Sequence, residues 1–178
     1  MESTTTNQFL TFVLDDDYFA INISNIKEVL DYSAPTRIPR SPSFLLGVIN
    51  LRGNMVPVVD LRIILGMPPR STSADTCFII AEIPTESENM LLGAMADSVV
   101  KVGEIPDSVI KPAPNVGTKL NIVYLKGIGK IDDRFVMILD LDKVLSFKEL
   151  GIVEELTESM TPMLLDMGTE ENAEETSV

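Results

Sequence analysis

The chain contains no histidine, no tryptophan and a single cysteine among its 178 residues. Without histidine it lacks the commonest general base, the Ser-His-Asp and Cys-His arrangements, and the usual zinc and haem ligand. Catalysis would have to rest on carboxylates, Lys, Tyr and Ser. The lone Cys77 excludes an internal disulfide and a thiolate cage, which fits a reducing compartment. Long apolar runs are also missing. The longest fall well short of the roughly 20 residues a membrane helix needs, and no basic segment precedes a greasy one, so the chain is expected neither to span a bilayer nor to carry a signal peptide. Aromatics are scarce, at seven Phe and three Tyr, and the basic residues are scattered. That argues against a stacking platform for single-stranded nucleic acid. A phosphate cradle is absent too, since Gly127-Ile128-Gly129 lacks a third glycine and a Lys-Ser/Thr partner.

What is present is a globular chain, 45% hydrophobic with a mean hydropathy of +0.21, long enough for one substantial core or two small ones packed together. The net charge of −13 is unevenly placed. Residues 149–178 hold nine of the 27 acidic residues and none of the 14 basic ones, which leaves −4 for the body. An acidic field repels phosphate backbones, so nucleic acid is not an expected partner.

The element pattern is β-rich. Met1–Asn7 is polar and expected to fray. Gln8–Leu14 and Tyr18–Ile23 read as strands joined by Asp15-Asp16-Asp17. Ser24 reads as the cap of a brief turn, and Glu28–Tyr32 as extended. Pro35, Pro39 and Pro42 mark a stiff connection, and Ser43–Leu46 one helical turn. Val48–Leu51 and Met55–Val59 flank Arg52-Gly53-Asn54, a hairpin signal. Pro57 cannot donate to a ladder and predicts an edge strand. Asp60 stands where a helix cap belongs, Leu61, Ile64 and Leu65 have helical spacing, and Gly66 ends the helix. After the polar linker Gly66–Asp75, strands are predicted at Thr76–Ile83, Met90–Ala96 and Val99–Val102, with Asp97 capping a short turn. Ile122–Lys130 and Arg134–Leu139 form another hairpin, followed by a helix over Asp140–Leu145. Ser146–Met160 has the spacing of an amphipathic helix. Residues 158–178 form an acidic tail.

A shift of 80 residues lays Leu46–Leu65 over Lys126–Leu145 without a gap. Gly47 meets Gly127, Val56 meets Val136, Asp60 meets Asp140, and Leu61 and Leu65 meet Leu141 and Leu145. Upstream, Ser24-Asn25-Ile26 lines up with Asp97-Ser98-Val99. One β-rich unit is thus written twice, over about 8–65 and 76–145, and several short strands with close turns point to small barrels. The alignment also isolates differences. Arg52-Gly53 in the first copy is Asp132-Asp133 in the second, and Glu28 corresponds to Lys101.

The motifs F-L-T-F-V-L, Y-F-A-I-N-I, I-K-E-V, T-R-I-P-R-S-P-S-F-L-L-G-V-I-N-L-R-G, V-P-V-V-D-L-R and K-P-A-P resemble those of the CheW family of bacterial chemotaxis coupling proteins, over about residues 8–157. The resemblance implies two packed, five-stranded SH3-like β-barrels with short helices and a C-terminal helix. It implies a cytoplasmic, non-enzymatic adaptor that links chemoreceptor tips to the regulatory domain of the histidine kinase CheA and meets the membrane only through the receptors. A related barrel scaffold serving a chemosensory pathway other than motility is the alternative. By motif, Glu28 and Arg52 fall on the family's functional surface, and Ile26 and Val99 on a receptor-binding groove between the barrels. Gly47 matches a glycine linked to partner binding, although backbone geometry at a strand start explains it equally. No cofactor or metal is implied. The carboxylates Asp60, Asp97 and Asp140 each precede an expected helical turn, so capping accounts for them, and no spacing supplies the paired carboxyls of an acid–base site.

Overall fold

The computed structural model describes residues 8–84, 88–112 and 124–144. The N-terminal 1–7, the expected helix over Ser146–Met160 and the acidic tail 158–178 lie outside the described residues. Among the described residues ten strands occur in chain order: β1 (Gln8–Leu14), β2 (Asp17–Asn22), β3 (Ile26–Asp31), β4 (Leu45–Leu51), β5 (Asn54–Asp60), β6 (Cys77–Pro84), β7 (Asn89–Ala96), β8 (Ser98–Glu104), β9 (Leu125–Ile131) and β10 (Arg134–Leu139). The four-residue helices α1 (Leu61–Ile64) and α2 (Leu141–Val144) follow β5 and β10. The order of five strands and a helix therefore occurs twice.

The strands form two five-stranded sheets, β8-β1-β2-β10-β9 and β3-β6-β7-β5-β4. Neither sheet is one repeat. Each combines the opening hairpin of one copy with the last three strands of the other, so the two copies are interleaved. The chain beyond each edge strand closes its own sheet. After β3 it returns at Thr36 to bridge Val48 of β4, and after β8 it returns at Lys111 to bridge Ile128 of β9. These closures make the two barrels, called here barrel I (β3–β7) and barrel II (β1, β2, β8–β10).

The closures explain the aligned glycines. Gly47 has φ +142°, and a Cβ there would lie 2.2 Å from the Thr36 carbonyl oxygen. At Gly127 a Cβ would lie 2.7 Å from the Lys111 carbonyl oxygen. Each glycine sits beside the bridge that shuts its barrel, where only a hydrogen fits.

Three hairpins turn on two residues, Asp15-Asp16, Arg52-Gly53 and Asp132-Asp133, all at positive φ, as a type I′ turn requires. Asp, Gly and, less readily, Arg accept that region.

Strand alternation feeds separate cores. On β6, Phe78 and Ile80 point into barrel I with Ile49, Val56, Val58 and Met95. Ile79, Ala81 and Ile83 point the other way, into a larger cluster that includes Leu10, Phe12 and Phe19 of barrel II. Barrel II has its own interior of Phe9, Ala20, Ile105, Val136 and Ile138. Strands buried on both faces hold the barrels together. Each large side chain fully buried there contributes about 1.5–3 kcal/mol of transfer free energy.

Four local expectations are corrected. Pro57 is not at an edge, because β5 lies between β4 and β7. Val48 exchanges its backbone bonds with Thr36, so the Val48–Pro57 pair needs none, and the parallel ladder to β7 starts only at Val58. Ser43–Leu46 is no helical turn: Leu45 N donates to Pro42 O, and β4 begins at once. The turn at Ile23–Asn25 is capped by Asn22 rather than Ser24. Asp97 caps no helix and is the one residue between β7 and β8. Asp60 does cap α1, accepting from Arg62 N at 3.0 Å.

Candidate partner-binding site

Glu28 lies on β3 and Arg52 in the β4–β5 turn, 24 positions apart in sequence. Barrel closure brings them together. Arg52 Nη1 donates to Glu28 Oε1 at 2.9 Å and Nη2 to Oε2 at 2.8 Å, a parallel two-bond fork. Arg52 is 72% exposed and Glu28 26%, so solvent screens the pair and it adds little to stability. Hydrogen bonding to Arg52, reinforced by its charge, holds the Glu28 carboxyl below the ordinary glutamate range against the opposing effect of desolvation. The same bonds raise Arg52. Together they form a two-bond, solvent-facing fork.

The second copy holds the same pair with its polarity reversed. Lys101 Nζ lies 2.6 Å from Asp132 Oδ2, and that contact lowers the Asp132 carboxyl. Barrel I therefore shows an acid on its strand and a base on its turn, and barrel II shows the opposite. A valine stands next to each strand charge, Val29 after Glu28 and Val102 after Lys101, and both are exposed.

Ile26 and Val99 occupy matching places at the starts of β3 and β8. Both are partly buried and pack against the cluster shared by the barrels. Gly47 is buried, so whatever it does for a partner passes through the backbone.

Arg62 belongs to none of the sites expected from the sequence. Its side chain is 2% exposed, and among the described residues it is the one charged residue in the set of largest fully buried side chains. Nε lies 3.3 Å from Asp60 Oδ1, and Nη2 donates to the Arg70 carbonyl at 3.1 Å. Nη1 lies 3.0 Å from Asp97 Oδ1, a charge contact without hydrogen-bond alignment. The alignment that singled out positions 28 and 52 held the signal, because Asp142 stands opposite Arg62.

Among the described residues no group of three or more His, Cys, Asp or Glu could hold a metal ion, and no helix is long and apolar enough to cross a membrane. A groove of about 1110 Å3 runs beside Tyr18, Phe135 and Met137 on barrel II. It includes none of Ile26, Glu28, Gly47, Arg52 or Val99.

These features define a duplicated two-barrel β protein whose distinctive surface residues are paired charges of opposite polarity on the two barrels. The profile of the CheW-like domain family matches residues 8–149. A probable chemotaxis protein CheW from Rhizobium etli is 31% identical over 142 residues, covering 80% of this chain and 89% of the relative. The chemotaxis protein CheW of Klebsiella aerogenes is 32% identical over 152 residues, covering 85% and 89%. The crystal structure of the scaffolding protein TtCheW from Thermoanaerobacter tengcongensis superposes with a TM-score of 0.71 at 30% identity, covering 82% of this chain and 93% of that one. The chain belongs to the CheW-like domain family.

Proposed function

We propose that this chain is a non-enzymatic scaffold of bacterial chemotaxis signalling, an adaptor that couples the cytoplasmic tips of chemoreceptors to the histidine kinase CheA. The observation that carries the reading is the exposed Arg52–Glu28 fork, two-bonded in geometry yet nearly idle in stability, with an opposite pair on the other barrel. A two-bond arrangement with little to do for the fold is suited to recognition.

In this reading Glu28 and Arg52 contact the receptor, and Ile26 and Val99 border the groove that receives it. Gly47 keeps barrel I closed so that the fork stays in place. The protein performs no chemistry. It works in the cytoplasm, holding receptor and kinase in one geometry so that their binding equilibria are coupled.

Reconstitution tests this directly. Kinase activity should respond to receptor ligand only when this chain is added. Arg52→Asp replaces an attraction with a repulsion at the contact. It should melt like the wild type while binding a soluble receptor-tip fragment at least about tenfold more weakly, a difference of roughly 1.4 kcal/mol in binding. Unaltered binding by Arg52→Asp, or its unfolding, would refute the assignment.

A further inference from the structure

The chain passes between barrels at two crossovers that follow the matching hairpins. One is the three-residue turn Ile23–Asn25, from β2 in barrel II to β3 in barrel I. The other is Asp97 alone, from β7 in barrel I to β8 in barrel II. The groove residues follow directly: Ile26 is the first residue after the first crossover, and Val99 the second after Asp97. A one-residue crossover has only two soft dihedrals. Whatever fixes Asp97 therefore constrains how barrel II leaves barrel I.

Asp97 is held from both sides. Its Oδ1 faces the buried Arg62 of α1 at 3.0 Å. Its Oδ2 accepts from the Asp15 amide in the β1–β2 turn at 2.7 Å, and its own amide donates to Val13 O of β1 at 3.0 Å. Arg70 approaches the same carboxylate at 3.8 Å and Asp15 at 3.6 Å. One carboxylate thus joins the helix of barrel I to the opening hairpin of barrel II. Arg62 spans Asp60, Asp97 and the Arg70 carbonyl with a single planar fork, a geometry that a flexible ammonium cannot reproduce. At the other crossover the Asn22 side chain accepts from Ser24 N at 2.9 Å, a bond within the turn itself.

We propose that Arg62 is a positioning residue for partner binding: by gripping Asp97 it sets the angle between the barrels, and with it the spacing of Ile26 and Val99 across the groove. The proposal rests on the reading of that groove as the partner site. Packing alone does not account for a buried arginine here, since a hydrophobe of similar volume fills such a place at equal or better stability. What the arginine adds is a charge contact between the helix of barrel I and the crossover into barrel II.

The test uses the full chain carrying Arg62→Lys or Asp97→Asn, with the barrel I core variant Ile80→Val as a control for plain destabilisation. Spin labels at Asn54→Cys on β5 and Lys130→Cys on β9 report the distance between barrels. Cys77 is buried, with its thiol pushed up to about 11, and stays unlabelled. Both latch variants should melt cooperatively, broaden or shift the distance distribution, and bind the receptor-tip fragment about fivefold more weakly, the low end of coupling between sites. Ile80→Val should lower melting and leave distance and binding alone. Latch variants that behave like Ile80→Val overturn the proposal. So do altered distances with wild-type affinity, provided Arg52→Asp still weakens binding, and in that case the reading of the site stands. If Arg52→Asp is silent as well, that reading fails and the proposal with it. Should Arg62→Lys not fold, Asp97→Asn carries the comparison, because its side-chain oxygen still accepts from the Asp15 amide.

Discussion

Replacing Gly47 with alanine should open barrel I. Two effects add. An L-residue held near φ +142° carries about 1–3 kcal/mol of backbone strain. The new Cβ would also lie 2.2 Å from the Thr36 oxygen and 2.7 Å from its carbon, and neither atom can swing aside as a side-chain tip would. The chain at Thr36 must back away. That disrupts the bonds from Thr36 N to Val48 O at 2.8 Å and from Val48 N to Thr36 O at 2.9 Å, each worth about 0.5–1.5 kcal/mol. The sum is about 4 kcal/mol, and at about 2–4 °C per kcal/mol for a chain of this size melting should fall by about 8–16 °C. Gly53→Ala is the matched control. Gly53 has φ +87° but nothing within 4 Å of the place an added methyl would take, so strain alone acts and the fall should be near 4 °C at about 1–2 kcal/mol. Calorimetry on the two variants decides the matter. A Gly47→Ala protein melting within about 4 °C of the wild type, or a Gly53→Ala protein falling just as far, would show that barrel closure does not depend on the missing side chain.

Gly127→Ala should also destabilise, though less than Gly47→Ala. Its φ is unstrained, and one of its two nearest contacts is the Ile110 side chain, which can move; equal losses on calorimetry would contradict this. The Glu28 carboxyl, lowered by Arg52, should titrate below the ordinary glutamate range by NMR and return to it in Arg52→Ala. Because the folded value is the lower one, whatever the pair adds to stability is present above the ordinary range and is lost as pH falls through the lowered value. The melting difference between wild type and Arg52→Ala should therefore vanish in acid, and a difference that grows there would reverse the sign. Burial, reinforced by Asp31 and Asp97, raises the Cys77 thiol to about 11. Its reaction with a disulfide reagent at neutral pH should thus be slow in the native state and rise with denaturant in step with unfolding, so rapid native reaction would place Cys77 at the surface.

Local chemistry is the legible part of this fold. Acidic and glycine turn residues mark the hairpins at 15–16, 52–53 and 132–133, Asp60 and Gly66 bound α1, and the 80-residue shift matches β4-β5-α1 to β9-β10-α2. Periodicity in one strand cannot say which sheet the strand joins, so the exchange of hairpins between copies stays hidden. Pro57 misleads for a related reason. Its missing donor excludes a bonded position, and an interior strand also has such positions where a ladder ends or a pair is non-bonded. At the site, the reversed charges at 28/101 and 52/132 mark two residue pairs that the fold does join. Asp97 reads as a cap because Asp before Ser and Val looks like one. Its partner Arg62 gives no local signal, because a buried arginine is rare and an arginine in a short helix reads as solvated.

The interleaving of the two copies bears on how this molecule came to have two unlike faces. Two separate, identical chains that swapped their opening hairpins would build the same pair of barrels, but twofold symmetry would force both barrels to carry the same residues. A Glu–Arg fork on one would then appear on the other. The Gly66–Asp75 linker removes that constraint, because a position in the first half can mutate without its twin. Covalent joining is what permits Glu28–Arg52 on one barrel and Lys101–Asp132 on the other, and a latch made by Arg62 where its twin is Asp142. A symmetric ancestor could only have offered the same hand twice, whereas the fused chain can hold two different things at once.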